Sequence, residues 1–425
     1  MSQPGTNLRH FPRYVRFWIA STVSDFGTHI TAIAISVIVV LRLDGGAADV
    51  GLVNAARWLP YLLLGLLLGV LADRYPRKPV LVAGDFGRGI ILTAIAVMGL
   101  ADWLSLPVLI LLMFIFGTLS LMSDAAFQSF IPQLVPRELL VRANARLQQS
   151  DSVAQTSGPA IAGWLTQLIT APAALLVDAA SYFVSGLVVA SIPGAPAKTP
   201  APATTSGLRY RILEGPRWVY RHPRLGPLAW GTHFWFVFFS MFGAVFTVYA
   251  LRERDLGAGG LGVVLACTGV GSVIGTLISP GFGSTFGAGK SIILARALYP
   301  VAFLIIAAAG FFAVGSWTAF TLIALGQFVI GFALGTEGPQ QMGYQQAVTP
   351  DRLMGRMTAT MRSVNRGMIV LGAPLGGFLA ESIGNRSAMS VAAAGMVAVV
   401  VYMATSGVWR ARMEDQLSAE EATAN

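Results

Sequence analysis

Residues 69–78, GVLADRYPRK, join the end of one long apolar run to the start of the next. Within these ten residues lie one acid and three cations: Asp73, Arg74, Arg77 and Lys78. Apolar runs of about 20 residues have the length needed to cross a bilayer. The stretch therefore reads as a hairpin turn at a membrane surface, where dense charge orients the spans and sets a fixed acid at the mouth of a helix bundle.

The composition agrees. The chain has 425 residues, is 55% hydrophobic and 12% charged, and its mean hydropathy is +0.66. A water-soluble protein of this size has no way to cover so much apolar surface, so its solvent is largely the lipid bilayer. The net charge of +9 does not imply a nucleic-acid partner, because the cations sit in short loops between apolar runs. The one cysteine, Cys267, lies inside an apolar run and has no partner for a disulfide. The four histidines, His10, His29, His222 and His233, have no metal-ligand spacing, so neither a metal site nor a cofactor is expected. No nucleotide-binding loop and no Ser/His/Asp set is present, so an enzyme is not expected. The first apolar run is too long for a cleaved signal and reads as a span. Arg outnumbers Lys 26 to 3, a usage typical of GC-rich bacterial genomes, which points to a bacterial plasma membrane.

Twelve spans are expected: 16–41, 51–72, 79–100, 106–124, 147–169, 173–191, 226–250, 260–280, 291–313, 317–338, 366–384 and 388–409. With the N-terminus inside, twenty cations fall in inner segments and four, Arg42, Arg252, Arg254 and Arg386, in outer ones. That asymmetry places both termini in the cytoplasm. Residues 193–207 are rich in Pro, Ala, Thr and Ser and read as a linker. Residues 208–222, LRYRILEGPRWVYRH, read as an amphipathic piece on the inner membrane face.

The chain repeats itself. At an offset of 214, Pro136 falls on Pro350, Arg142 on Arg356, Gly158 on Gly372 and Gly163 on Gly377; at 212, Gly69 falls on Gly281 and Lys78 on Lys290. The expected organisation is an all-α membrane protein in two parallel six-helix halves, 1–192 and 225–425, joined by a cytoplasmic linker with an amphipathic segment, 193–224. A repeat of this kind suits a transporter with its site near mid-membrane.

Several residues are candidates for the chemistry. Asp25 lies about 13 Å into the first span at 1.5 Å per residue. A buried ionised acid is costly, which makes it a natural proton carrier. The alternative is an acid satisfied by a cation, Arg57 or Arg88. Asp85 and Arg88 face each other at i, i+3 and read as a structural pair. Asp178 is a second buried acid, either contacting a cationic substrate or bonded to Ser181 and a backbone group. Glu337 ends the tenth span and is expected at the inner surface. Gly158, Pro159 and Gly163 on span five, and Gly372, Pro374, Gly376 and Gly377 on span eleven, suit close packing and bending. Phe238, Phe242, Phe246 and Tyr249 share a face with Trp235 on span seven. They form either an aromatic wall for an apolar substrate or a lipid-facing surface.

Residues 69–78 resemble the signature turn of the major facilitator superfamily, Gly-x-Leu-Ala-Asp-Arg-x-Gly-Arg-Lys. Gly69, Leu71, Ala72, Asp73, Arg74, Arg77 and Lys78 match, and Pro76 stands where the pattern has Gly. The copy at 281–290, GFGSTFGAGK, keeps Gly281 and Lys290 but has Thr285 where Asp73 would fall. SGPAIAG, residues 157–163, is similar to the span-five motif of antiporter members. Residues 124–144 and 347–379 resemble the enterobactin-exporter and macrolide-efflux branch of drug:proton antiporters. The charges alone would make 69–78 a plain positive-inside turn; the resemblance implies an inner gate of Gly69, Asp73, Arg74, Arg77 and Lys78. It also implies a monomeric secondary transporter that couples protons to export of a small amphipathic compound (a drug, antibiotic or siderophore) by alternating access. The alternatives are an importer or uniporter of a metabolite, or a membrane sensor that does not transport. One departure matters: the fourth span has no Arg, so a coupling scheme built on an Arg there does not carry over.

Overall fold

The computed structural model describes residues 8–71, 76–136, 139–193 and 208–412, and the described residues form helices joined by short turns. The helices are α1 (Pro12–Val37, continued by a π turn Ile38–Arg42), α2 (Ala47–Leu71), α3 (Arg77–Leu100), α4 (Leu106–Phe130), α5 (Leu140–Ile169), α6 (Ala171–Ser191) and α7 (Leu208–Arg221). Then come α8 (Leu225–Val248, continued by a π turn Tyr249–Glu253), α9 (Gly257–Phe286), α10 (Ala288–Arg296), α11 (Leu298–Ala308), α12 (Trp317–Val348), α13 (Asp351–Ile383) and α14 (Asn385–Thr405). Among the described residues nine segments are long and apolar enough to cross a membrane, with α10 and α11 counted as one. Against the twelve spans expected, α2, α5 and α13 stand outside these nine. Both α5 and α13 are as long as their neighbours but begin with polar turns.

Several helices outrun their apolar spans. The first turn of α5 is at Leu140 rather than 147, α13 begins at Asp351 rather than 366, and α12 runs on to Val348 rather than ending at 338. Hydropathy registers only the stretch that meets lipid. The backbone ladder continues past it wherever one face finds a packing partner.

The chain divides into two compact units, Met1–Leu43 with Ala56–Thr205, and Asp44–Ala55 with Ser206–Asn425. In the first, α1 packs on α5 and α6, and α3 on α4 and α6. In the second, α9 packs on α12, and α8 on α13 and α14. The start of α2 belongs to this second unit: a Cβ on Gly377 would strike the backbone of Ala47 and Ala48. The amphipathic segment is helical, and its C-terminal part packs on protein. Val219 is buried in a cluster with Leu228, Tyr344 and Met357, and a Cβ on Gly215 would lie 2.8 Å from the Arg356 carbonyl.

Two helix junctions share one backbone conformation. Thr170, between α5 and α6, has φ 76° and ψ 155°, while Gly384, between α13 and α14 and 214 residues later, has φ 85° and ψ 154°. The glycine adopts this conformation freely; the β-branched threonine is strained there by about 1–3 kcal/mol.

The tightest helix pair is α9 with α12. Gly271 and Gly275 on α9 face Gly331 and Gly335 on α12, and a Cβ on any of the four would strike a backbone carbonyl across the pair. Small residues at this spacing let two backbones touch where lipid supplies no hydrophobic drive. Around them Thr268 donates to Gln327 at 2.8 Å and Ser279 to the Thr336 carbonyl at 2.8 Å. Gly331→Ala is expected to destabilise the folded protein by about 1–3 kcal/mol. Gly338→Ala, on the same helix with no atom within 4 Å of the new Cβ, is expected to change little. Thermal unfolding in detergent of the two variants checks the difference.

Candidate functional site

In the first unit three acids from three helices share one region. Asp25 on α1 is half-buried, and the charges that act on it are those of Asp151 on α5 and Asp124 on α4. Among the described residues nothing donates a hydrogen bond to its carboxylate or pairs with it. The two expected cationic partners are engaged elsewhere. Arg88 on α3 forms an ion pair with Asp85 one turn earlier, and Asp85 also accepts from Ser185 of α6 at 2.8 Å. The Arg88 guanidinium lies 4.4 Å over the Tyr182 ring. Arg57 on α2 lies 5.1 Å over Trp58 and 5.5 Å over Phe116. Asp124 accepts from the Tyr61 hydroxyl at 2.9 Å.

Asp178 on α6 is fully buried and accepts the hydroxyls of Thr31, from α1, and Ser181, at 2.9 Å in the second case. Close helix packing brings these groups together. A Cβ on Gly27 would strike the Asp178 carboxylate, and one on Gly158 would lie 2.8 Å from His29. Pro159 and Gly163 follow within the unbroken helix α5.

Asp124 and Asp151 were not singled out by sequence reasoning. The available signal was simple: each is an acid in or next to an apolar run. Asp124 was missed because it sits at the last position of its span.

The second unit holds a closed cluster. Arg296 at the end of α10 is 1% exposed and donates to Glu337 of α12 at 2.9 Å. Its other donors reach Thr232 at 2.9 Å and Gln341 at 2.7 Å, and Tyr299 gives its hydroxyl to Glu337 at 3.2 Å. Glu337 is therefore not at a surface, as its place near the end of an apolar run suggested. Because α12 continues eleven residues beyond it to Val348, it lies inside the bundle. It falls 213 residues after Asp124, within the repeat offset. Nearby, buried His233 contacts Asn365 at 2.7 Å and Tyr220 at 2.9 Å.

The named aromatic residues of α8 pack against neighbouring helices of the second unit. Phe242, Phe246 and Tyr249 are buried, and Phe242 stacks on Phe303 of α11 with centroids 3.9 Å apart. Half-buried Phe238 packs against Gly395 of α14. Rings fill the gaps between helices of one unit because flat apolar groups stack there without leaving voids. Gly372 and Gly376 bring α13 against the carbonyls of Val237 and Met241, on either side of Pro374.

Of the inner-gate residues, Asp73 and Arg74 lie outside the described residues, and Gly69 falls in the last turn of α2. Arg77 and Lys78 open α3, and Lys78 donates to the Ile192 carbonyl, just past α6, at 2.7 Å. In the copy, Thr285 donates to the Gly281 carbonyl at 2.8 Å within α9, and Lys290 lies 5.4 Å over the Trp409 ring. Among the described residues no group of three or more His, Cys, Asp or Glu is placed to hold a metal ion.

The major facilitator family model described as a transmembrane secretion effector matches residues 8–424. The chain belongs to the major facilitator superfamily. It is a membrane transporter of that family and not an enzyme. An uncharacterized MFS-type transporter of Sinorhizobium fredii is 25% identical to this major facilitator protein over 405 residues, covering 95% of this chain and 96% of the relative. Enterobactin exporter EntS of Shigella dysenteriae is 26% identical over 369 residues, covering 85% and 81%. The crystal structure of the nucleoside transporter NupG has the same fold at a TM-score of 0.69 and 14% identity, covering 92% of this chain and 98% of that one.

Removing one partner of a buried ion pair leaves a charge uncompensated, at about 3–5 kcal/mol. Arg296→Met is therefore expected to lower the melting temperature of the purified transporter sharply, and Arg296→Met with Glu337→Leu to recover most of the loss. Equal melting of the single and double variants would show that the pair is not coupled.

Proposed function

We propose that this transporter couples inward proton movement to export of a small amphipathic compound across the bacterial plasma membrane. The observation that carries the proposal is Asp25, a half-buried acid on α1 that feels the charges of Asp124 and Asp151 and has no cation on it among the described residues. An acid in that setting is where a proton, or the positive end of a substrate, best neutralises charge. Asp178, bonded to two hydroxyls, is a second acid on the same route. Likeness to the enterobactin exporter over 85% of the chain supports export of a drug, antibiotic or siderophore rather than uptake.

In this scheme twelve spans in two six-helix halves, 1–192 and 225–425, work by alternating access, with both termini in the cytoplasm and the protein working as a monomer. Twenty inner cations against four outer ones support the orientation. Asp73, Arg74, Arg77 and Lys78 act as the inner gate, and the acid is carried by one half alone, since Thr285 replaces it in the copy.

Two measurements test these roles. In inverted vesicles with an imposed proton gradient and a panel of amphipathic compounds, Asp25→Asn is expected to lower uphill transport by about a hundredfold, the scale on which a positioned proton carrier acts. Uphill transport at the wild-type rate would refute the assignment. In the same assay Asp73→Asn is expected to cripple transport at normal membrane insertion, whereas Thr285→Ala leaves it near wild type. Like behaviour of the two would remove the asymmetric gate.

A further inference from the structure

The second unit holds a cavity of about 590 Å³ where α8 runs out, α11 ends and α13 turns into α14. That volume falls within the roughly 300–1,000 Å³ of small-ligand sites. None of the acids assigned to transport lines it. Its lining combines polar side chains, Glu253, Asn385, Arg386 and Ser387, with apolar ones, Leu304, Ala307, Phe311 and Ile383. Phe311 is 78% exposed, so the apolar lining continues onto the surface of the unit.

Arg386 sets the chemistry. Of the four cations in the outer segments, three have acceptors. Arg42 donates to Asp102 at 2.9 Å, Arg252 to Asp44 at 2.5 Å, and Arg254 to the carbonyls of Ala309 and Phe312 at 3.1 and 3.0 Å. The Arg386 side chain makes no hydrogen bond and no ion pair among the described residues. Its guanidinium is held 3.9 Å over the Phe311 ring, and its Nε is shut off from solvent without an acceptor. A guanidinium carries five N–H donors in a fixed fork suited to carboxylate or phosphate, and the buried Nε–H of Arg386 is left unmet at a cost.

Helix α14 adds donors at the same place. It begins after Gly384, which has no side chain to cap it, and its first backbone bond is from the Ala388 amide to the Gly384 carbonyl at 3.0 Å. The amides of Asn385, Arg386 and Ser387 come before that bond and have no partner within the helix, and the 21-residue helix turns its positive dipole end toward the cavity. Opposite charge lines the same cavity: Glu253 accepts from the Asn385 side chain at 2.6 Å.

We propose that this cavity binds a phospholipid whose headgroup carries both a phosphate and a primary ammonium. The phosphate meets Arg386 and the first amides of α14, the ammonium meets Glu253, and the acyl chains leave along Phe311 and Ile383. A headgroup without an ammonium leaves Glu253 facing the phosphate unpaired. A soluble aminoalkyl phosphate has the same polar groups but no chain for the apolar lining.

The test uses the full-length transporter in detergent, titrated with phosphatidylethanolamine, phosphatidylglycerol and soluble phosphoethanolamine, with binding read by native mass spectrometry and thermal shift. Phosphatidylethanolamine is expected to bind at least about tenfold more tightly than either other ligand, the scale of one charge-assisted contact. Arg386→Gln is expected to lose about tenfold in that affinity while Arg386→Lys keeps most of it, which separates lost charge from misfolding. Glu253→Gln is expected to abolish the preference over phosphatidylglycerol. The proposal is overturned if Arg386→Gln binds like wild type, or if Glu253→Gln keeps the preference. It is also overturned if soluble phosphoethanolamine binds as tightly as the lipid, which would make the occupant a soluble phosphate.

Discussion

A backbone in hydrocarbon has no water to bond with, so every N–H and C=O must be satisfied within the protein. That constraint makes each long apolar run of this chain a helix. It also removes the usual reason for helices to associate, since lipid is as apolar as a leucine side chain. What remains is close contact. The glycines of α9 and α12 bring two backbones within van der Waals range, and hydroxyl and amide side chains such as Ser279 and Gln340 bond across the gap. Gly372, Gly376 and Gly377 serve α13 in the same way, against α8 and the start of α2.

The same medium sorts the buried charges. Arg296 and Glu337 neutralise each other and are surrounded by further donors and acceptors, so the second unit closes around a saturated pair. Asp85 and Arg88 do this within one helix of the first unit. Asp25 stands apart, because its charged neighbours are acids rather than bases. The two units thus use acids at comparable sequence positions differently: Glu337 holds a guanidinium, while Asp124 takes the Tyr61 hydroxyl and lies near Asp25. A cation on the acid makes a staple; in the proposed scheme, its absence leaves Asp25 to exchange protons.

Apolar length and the 212–214 repeat were legible without coordinates, as was the Asp85–Arg88 pair, whose i, i+3 spacing is local to one helix. The partners of Asp178 were half legible: Ser181 lies one turn away on the same helix, but Thr31 comes from another. Glu337 was misplaced because hydropathy marks where lipid ends and not where a helix ends. The α8 aromatic residues have no polar side to orient them, so their spacing could not say whether they met lipid, ligand or protein. Stacking on Phe303 is a contact between helices that no single helix encodes.

The sequence by itself determined that this is a helical membrane protein and, through residues 69–78, its superfamily. These are properties of composition and of short, local patterns. The tertiary structure alone decided which charges are satisfied. Arg88 belongs to Asp85, Arg296 belongs to Glu337, and Asp25 and Arg386 are left without a counter-charge among the described residues. Charge pairing acts over a few ångströms in space, and helices distant along the chain supply the partners, so only packing determines which acid or base stays open for chemistry.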